Sequence, residues 1–241
     1  MNCGHGVNLF DALRRQLVNW GRVALTCGSV QADVQPDIAT FSIAARDADS
    51  GLLGVAVASK FLAVGAYVPF VRAGIGAVAT QARTNLEYGP QVLDLLEGGV
   101  APAECSRRVR NKDPMAERRQ LGIVAVNGQS NTFTGAACTA WAGGVAGADY
   151  AIQGNILAGP KVVQAMQAAW LASRFAFPER LLAVLEAGEA AGGDSRGRQA
   201  AALVVAGSGL GRHARLDLRV DDADQPVMSL AHLLSAWRLQ T

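Results

Sequence analysis

The sequence predicts an α+β protein in which antiparallel sheets are covered by helices. Three observations carry this: hairpin-like blocks over residues 40–60 and 118–138, two helical segments over residues 160–193, and a return to strand periodicity before a closing amphipathic helix. A wholly parallel sheet would need strictly alternating strand and helix units, and that order is absent. The totals agree, because 241 residues, half of them hydrophobic, with 27 glycines and 17% charge, suit one densely packed domain with tight turns.

Residues 1–39 differ from the rest. The stretch "LRRQLVNWGRVALTCGSVQA" has a basic start, a weak apolar centre broken by Gly21 and Arg22, and a small-residue end. It reads as a leader: a signal segment cut after Ala32, a propeptide, or a start assigned too early, and it is too short to span a membrane. Pro36 and Asp37 mark a break, and the folded domain is expected over 40–241.

The elements then follow in order. "TFSIAARD" alternates, "DADSG" has turn chemistry and "LLGVAVASK" is rich in small and β-branched residues, which predicts a hairpin. "AGIGAVATQART" is a further strand. Val92, Leu95 and Leu96 give helical spacing that stops at Gly98 and Gly99, and a second helix starts near Pro102. Asn127-Gly128 between two strand-like runs is the strongest short hairpin signal in the chain. "YAIQGNILAG" is one more strand entering a turn. "PKVVQAMQAAWLASR" and "FPERLLAVLEAGEAAGG" are two helices joined near Phe177 and Pro178, "RQAAALVVAG" and "ARLDLRVDD" are strands, and "PVMSLAHLLSAWRLQ" is the last helix.

Composition narrows the chemistry. A net charge of +2 arises from 22 basic and 20 acidic residues scattered along the chain, so there is no electrostatic footprint for nucleic acid, and a small-molecule substrate is the expected partner. Cys3, Cys27, Cys105 and Cys138 form no C-x-x-C pair, which removes the usual zinc and dithiol spacings. Cys138 reads as a small buried residue. The histidines are His5, His213 and His232, none of them between residues 5 and 213. A Ser-His-Asp or Cys-His centre would have to draw on His213 or His232, which read more simply as solvated or packed residues, no histidine pair has metal-ligand spacing, and no metal or cofactor is expected. "GNILAGPK" has the glycine spacing of a phosphate loop, but Pro160 removes a needed N–H donor. "GSGLG", from Gly207 to Gly211, lacks the strand-to-helix context of a dinucleotide site.

What survives is a nucleophile that carries its own base, an N-terminal Thr, Ser or Cys whose α-amine accepts the side-chain proton. An α-amine titrates near 7.7 to 8.0, close to working pH. Thr40 heads the first strong strand, directly after a removable-looking segment; the alternative is a β-favouring residue at a strand edge. Gln81, Thr84 and Asn85 supply amides and a hydroxyl for a substrate carbonyl or an oxyanion hole, or else serve as turn and cap residues. Gln153, Gly154 and Asn155 repeat that chemistry, with Gly154 permitting close backbone approach. Asp194, Arg196 and Arg198 form a charged set suited to a carboxylate, or an ordinary ion-paired loop.

The motifs "ATFSIAARD", "GVAVASKFLAVGA", "GAVATQARTN" with "YGP", "TGAAC", "AIQGNILAG" and "GGDSRGRQAAAL" lie in this order over Ala39 to about Asp222. They resemble the DUF1028 family, a bacterial family of unknown function placed with the N-terminal-nucleophile (Ntn) hydrolases. The resemblance implies a four-layer αββα sandwich of two antiparallel sheets and an amide-bond hydrolase. It places Thr40 at the nucleophile position, with Lys60 as a basic residue near it that would lower the amine pKa and stabilise negative charge; the alternative for Lys60 is a solvated strand end. Asn85 or Asn155 would contribute to the oxyanion hole. Rival readings are a non-catalytic small-molecule-binding protein on the same fold, and a subunit of a homo-oligomer or larger assembly. Location in the cytoplasm or periplasm depends on where the leader is cut.

Overall fold

The computed structural model describes residues 37–38, 40–210 and 214–240. The readings placed on residues 1–36, on Ala39 and on His213 lie outside the described residues, as do the two cysteines Cys3 and Cys27.

Alternation in "TFSIAAR" produces β2 (Thr40–Arg46), and the turn after it returns the chain as β3 (Leu53–Ser59). Thr40, Ser42 and Ala44 fall on one face of β2, and Phe41, Ile43 and Ala45 on the other, as a two-residue period requires. β3 continues outward to β10 (Ala200–Ala206) and β11 (Arg215–Val220), while β2 pairs on its other side with β9 (Tyr150–Asn155), which pairs β8 (Gly143–Gly147). All neighbours in this six-stranded sheet are antiparallel.

The second sheet has five strands. β5 (Gly76–Arg83) pairs β6 (Arg119–Ala125), and β6 pairs β7 (Ser130–Thr134) through the Asn127-Gly128 turn, where Gly128 takes a φ of +83° that a side chain would resist. The other edge of β5 is shared by β4 (Pro69–Arg72) and the two-residue β1 (Asp37–Ile38). The chain thus lies in one sheet at Ile38 and in the other at Thr40.

Helices close both outer faces. α1 (Tyr88–Glu97) and α2 (Pro102–Arg110) pack Tyr88, Val92, Leu93 and Val109 on Val78, Leu121 and Ile123. α3 (Pro160–Ala172), α4 (Phe177–Ala190) and α5 (Pro226–Arg238) cover the six-stranded sheet through Met166, Leu181, Leu185 and Leu230 against Phe41, Ile43, Ile152 and Leu203. Each fully buried aliphatic side chain here contributes about 1.5–3 kcal/mol. Proline in the first turn of α2 to α5 removes an N–H that would have had no partner. Arg180 lies 3.6 Å over the Trp170 ring and donates to the Trp170 carbonyl at 2.7 Å, tying α4 to α3.

The described domain is therefore an α+β sandwich of four layers, helices, sheet, sheet, helices, as expected. Three strands had no sequence signal, the two-residue β1 in the stretch read as a leader among them. β4 carries Pro69 and is only half-buried, and β8 is a glycine-rich edge; Pro and Gly read as breaks because edge strands tolerate what central strands do not. No helix among the described residues is long and apolar enough to cross a membrane.

Candidate active site

The space between the sheets is apolar at one end and polar at the other. Ala44, Leu53, Val55, Val57, Ala77, Ala79, Val124 and Ala151 fill the first. Thr40 lies at the second, fully buried at the head of β2. The register sets its neighbours: Ser59 pairs with it on β3 and Asn155 on β9. Thr40 Oγ1 donates to Ser59 Oγ at 3.4 Å. Across the gap, Gln81 of β5 donates from Nε2 to the Thr40 carbonyl at 3.3 Å.

Behind Thr40 stands a network of neutral side chains. Gln81 Nε2 also donates to Gln120 Oε1 at 2.7 Å, so both of its N–H groups are used. Gln120 Oε1 accepts from Asn155 Nδ2 at 3.1 Å, and its Nε2 donates to the Gly154 carbonyl at 2.8 Å and to Thr134 Oγ1 at 2.8 Å. Ser42 Oγ donates to Gln81 Oε1 at 2.6 Å and accepts from Gln153 Nε2 at 2.6 Å. Ser42, Gln81, Gln120 and Gln153 are fully buried and Asn155 almost so. Buried amides are tolerable only when paired in this way. The fit is close: a Cβ on Gly122 of β6 would lie 2.1 Å from Gln153 Oε1.

Two backbone outliers flank this end. Ala82, directly after Gln81, has a φ of +64°, and Ile156, directly after Asn155, has a φ of +52°. For a β-branched residue this conformation is a genuine outlier, and such strain, of order 1–3 kcal/mol each, clusters at functional sites. Ile156 is held from both sides of the peptide, its N–H donating to the Thr139 carbonyl and its carbonyl accepting from Ser195.

The remaining expected residues form two other groups. Lys60 follows Ser59 and is exposed; its Nζ donates to the Arg198 carbonyl at 3.1 Å. Ser59, one residue before it, is the side that faces Thr40 across the hairpin. Asp194 is a buried hub, accepting from the Lys60 N–H at 2.8 Å and from Arg196 N, Nε and NH2 at 3.0, 3.1 and 2.9 Å. Arg196 is thereby engaged with its own loop, whereas Arg198 reaches Gln225 and Glu189. Thr84 and Asn85 belong to a clamp around Asp113. Asn85 Nδ2 donates to Asp113 Oδ2 at 3.3 Å, as do Tyr88 Oη at 2.9 Å and Arg119 Nε at 2.8 Å, and Arg119 also donates to the Arg83 and Thr84 carbonyls. Burial would raise the Asp113 carboxyl, but the hydrogen bonds from Arg119, the Met115 N–H, Tyr88 and Asn85 outweigh it and hold the group below its ordinary value. Burial and Asp113 together push the Tyr88 phenol up.

Thr40, Gln81, Gln153, Gly154 and Asn155 are thus brought together, and Thr84, Asn85 and the 194–198 loop are not part of that hydrogen-bonded set. Ser42, Ser59 and Gln120 were not among the expected residues. Ser42 and Ser59 could have been found from strand alternation and hairpin pairing with Thr40; Gln120 could have been marked as the amide between the arginines and the apolar run of "RRQLGIVAV".

Fold and site together define a four-layer α+β sandwich with a threonine at the mouth of a buried amide network. The model of the family of unknown function DUF1028 matches residues 40–230, and the chain belongs to that family. A solved structure of a DUF1028-family protein from Silicibacter pomeroyi is 33% identical, with a TM-score of 0.77 over 82% of this chain and 85% of that one. The ancestral beta-subunit Anbu from Yersinia bercovieri is 12% identical, with a TM-score of 0.35 over 83% of this chain and 95% of its own. No curated protein matches.

Proposed function

We propose that the protein is an Ntn-type amidohydrolase acting on an amide of a small, carboxylate-bearing metabolite, with Thr40 as nucleophile. The observation that carries this is the position of Thr40 at the head of β2, hydrogen-bonded to Ser59 and paired in register with Asn155, at the point where the chain passes from one sheet to the other. The mechanism needs the bond between Ala39 and Thr40 to be cut. Removal of the preceding segment would free the Thr40 amine and vacate the edge of β5 at Ala82 and Arg83, now paired with Ile38 and Asp37.

Thr40 Oγ1 then adds to the substrate carbonyl while the α-amine takes its proton and passes it to the leaving nitrogen. Of the two amides expected to serve the oxyanion, Asn155 is the better candidate: it pairs in register with Thr40, and with one Nδ2–H held by Gln120 the second is left for the developing charge. Asn85 is held by Asp113. Lys60 adds positive potential from the end of β3, and an arginine of the 194–198 loop takes the substrate carboxylate. Water finally releases the acyl group from the Thr40 ester.

Intact mass after incubation of the purified chain, followed by assay on a panel of small amides, tests both steps. A species beginning at Thr40 should hydrolyse amides, and Thr40→Ala should lose about 10³-fold or more. A persistent full-length chain that hydrolyses amides equally well with Ala at position 40 sinks the reading. The binding-protein alternative predicts an attached leader and no covalent labelling of Thr40 by electrophilic amide analogues.

A further inference from the structure

On the helix side of the six-stranded sheet, at the end where Ser59 meets Thr40, a cavity of about 310 Å³ is floored by Phe41 and Ala58 and walled by Glu189, Gly193, Arg198 and Pro226. A second cavity of about 320 Å³ lies against the same Glu189 and Arg198 and is lined by Val227 and Met228. The two charged side chains therefore have open volume next to them on two sides, and the volume falls at the lower end of small-molecule sites.

Glu189 is the unusual member. Its side chain is 16% exposed, its charged neighbour is Arg198 with Nε at 3.5 Å, and among the described residues no donor makes a hydrogen bond to its carboxylate. A carboxylate held mostly out of solvent with one loosely placed charged neighbour keeps acceptor capacity for a ligand. Burial raises its pKa, Arg198 works to lower it and Glu186 adds to the rise. Arg198 spends one N–H on Gln225 Oε1 at 2.7 Å and has donors left over. Asp194, by contrast, is saturated by the Lys60 N–H and Arg196, so it closes the loop and is not available to a ligand.

A ligand with an ammonium alone would satisfy Glu189 but face Arg198, and a carboxylate alone would do the reverse. A compound with both charges can enter between the loosely paired side chains and satisfy each. The apolar floor leaves room for a short aliphatic group. We propose that this cavity binds a small α-amino acid or an aminoacyl-like zwitterion, its ammonium on Glu189 and its carboxylate on Arg198. As a ligand site it stands without Thr40 chemistry; as the place of the substrate's carboxylate it rests on the reading above.

The test is calorimetric titration of the full chain carrying Thr40→Ala, so that failure of hydrolysis cannot be mistaken for failure of binding. L-Alanine and L-valine are the probes; alanine methyl ester and N-acetylalanine each delete one charge from the ligand while the protein stays unaltered. Binding of the free amino acids, at least about tenfold weaker for either derivative and for Glu189→Gln or Arg198→Gln, is the expected result. Absence of amino-acid binding, or equal binding of the derivatives, overturns the proposal whether or not the two variants fold.

Discussion

At one end of the inter-sheet layer Val55, Val57, Ala77 and Val124 pack without a polar atom among their side chains; at the other, Ser42, Gln81, Gln120 and Gln153 are just as deeply buried. The two ends share strands, since β2 runs from Ser42 to Ala44 and β6 from Gln120 to Val124 within a few residues. Burial at the apolar end is favourable by itself and tolerates changes of shape at moderate cost. At the polar end it is acceptable only while every amide keeps its partner, so one arrangement is selected and the alternatives are penalised. That end orients the groups around Thr40, and its local cost is the kind of departure from an all-apolar core that functional sites carry.

The largest effect is expected where the network is cut at its hub. Gln120→Leu removes the acceptor for Gln81 and Asn155 and the donor to Gly154, and at about 1–3 kcal/mol per unpaired group should cost about 3–5 kcal/mol after partial relaxation. Val55→Ala, which only removes methyl groups at the apolar end, should cost about 2–3 kcal/mol. Urea unfolding of both variants measures the contrast, and a smaller loss for Gln120→Leu than for Val55→Ala would erase the proposed difference between the ends.

Acid sharpens the comparison further, because hydroxyls and amides do not titrate. The cost of Gln120→Leu should be the same at pH 7 and pH 4 to within about 0.5 kcal/mol. The parent protein should nevertheless weaken in acid through Asp113, whose carboxyl is held below its ordinary value. Below the unfolded carboxylate pKa, about 3.9, the unfolded chain takes up a proton that the native state does not. The stabilisation is therefore complete above that pH and is lost as pH falls through the native value. Urea midpoints recorded across the acid range check both statements, and a cost for Gln120→Leu that changes with pH would show that the polar end is coupled to an ionising group.

The two ends also differ in how far they could be read from sequence. Alternation in "TFSIAAR" and "LGVAVAS", with Asn127-Gly128 as a turn, was enough for the hairpins and for an apolar layer, because periodicity and burial are the same signal there. Thr40 emerged from the scarcity of histidine, and Gln153 and Asn155 from their amide chemistry. Ser59 follows from the hairpin register alone, since it pairs with Thr40 within one sheet; the contacts of Ser42 and Gln120 do not, since a polar residue in a strand says nothing about which strand of the opposite sheet will face it. That partner is decided by sheet-on-sheet packing. Asn85 is a long-range effect of another kind: its amide looked available until the chain brought Asp113, in a loop 28 residues later, beside it.

Ser59 gives the smallest change in stability and the clearest separation of structure from chemistry. Its hydroxyl lies 3.4 Å from Thr40 Oγ1, a long contact, and Ser59→Ala should cost about 1–2 kcal/mol of stability, less than either change above. If the hydroxyl orients Thr40 for attack, the same variant should lower kcat about tenfold with KM nearly unchanged, because only the geometry of the attacking oxygen is lost. Ser59→Thr keeps a hydroxyl at the position and suits a strand, and should recover most of the rate. A merely structural serine predicts the opposite pattern, with stability and activity falling together or neither changing, and steady-state kinetics on the chain beginning at Thr40 decide between them.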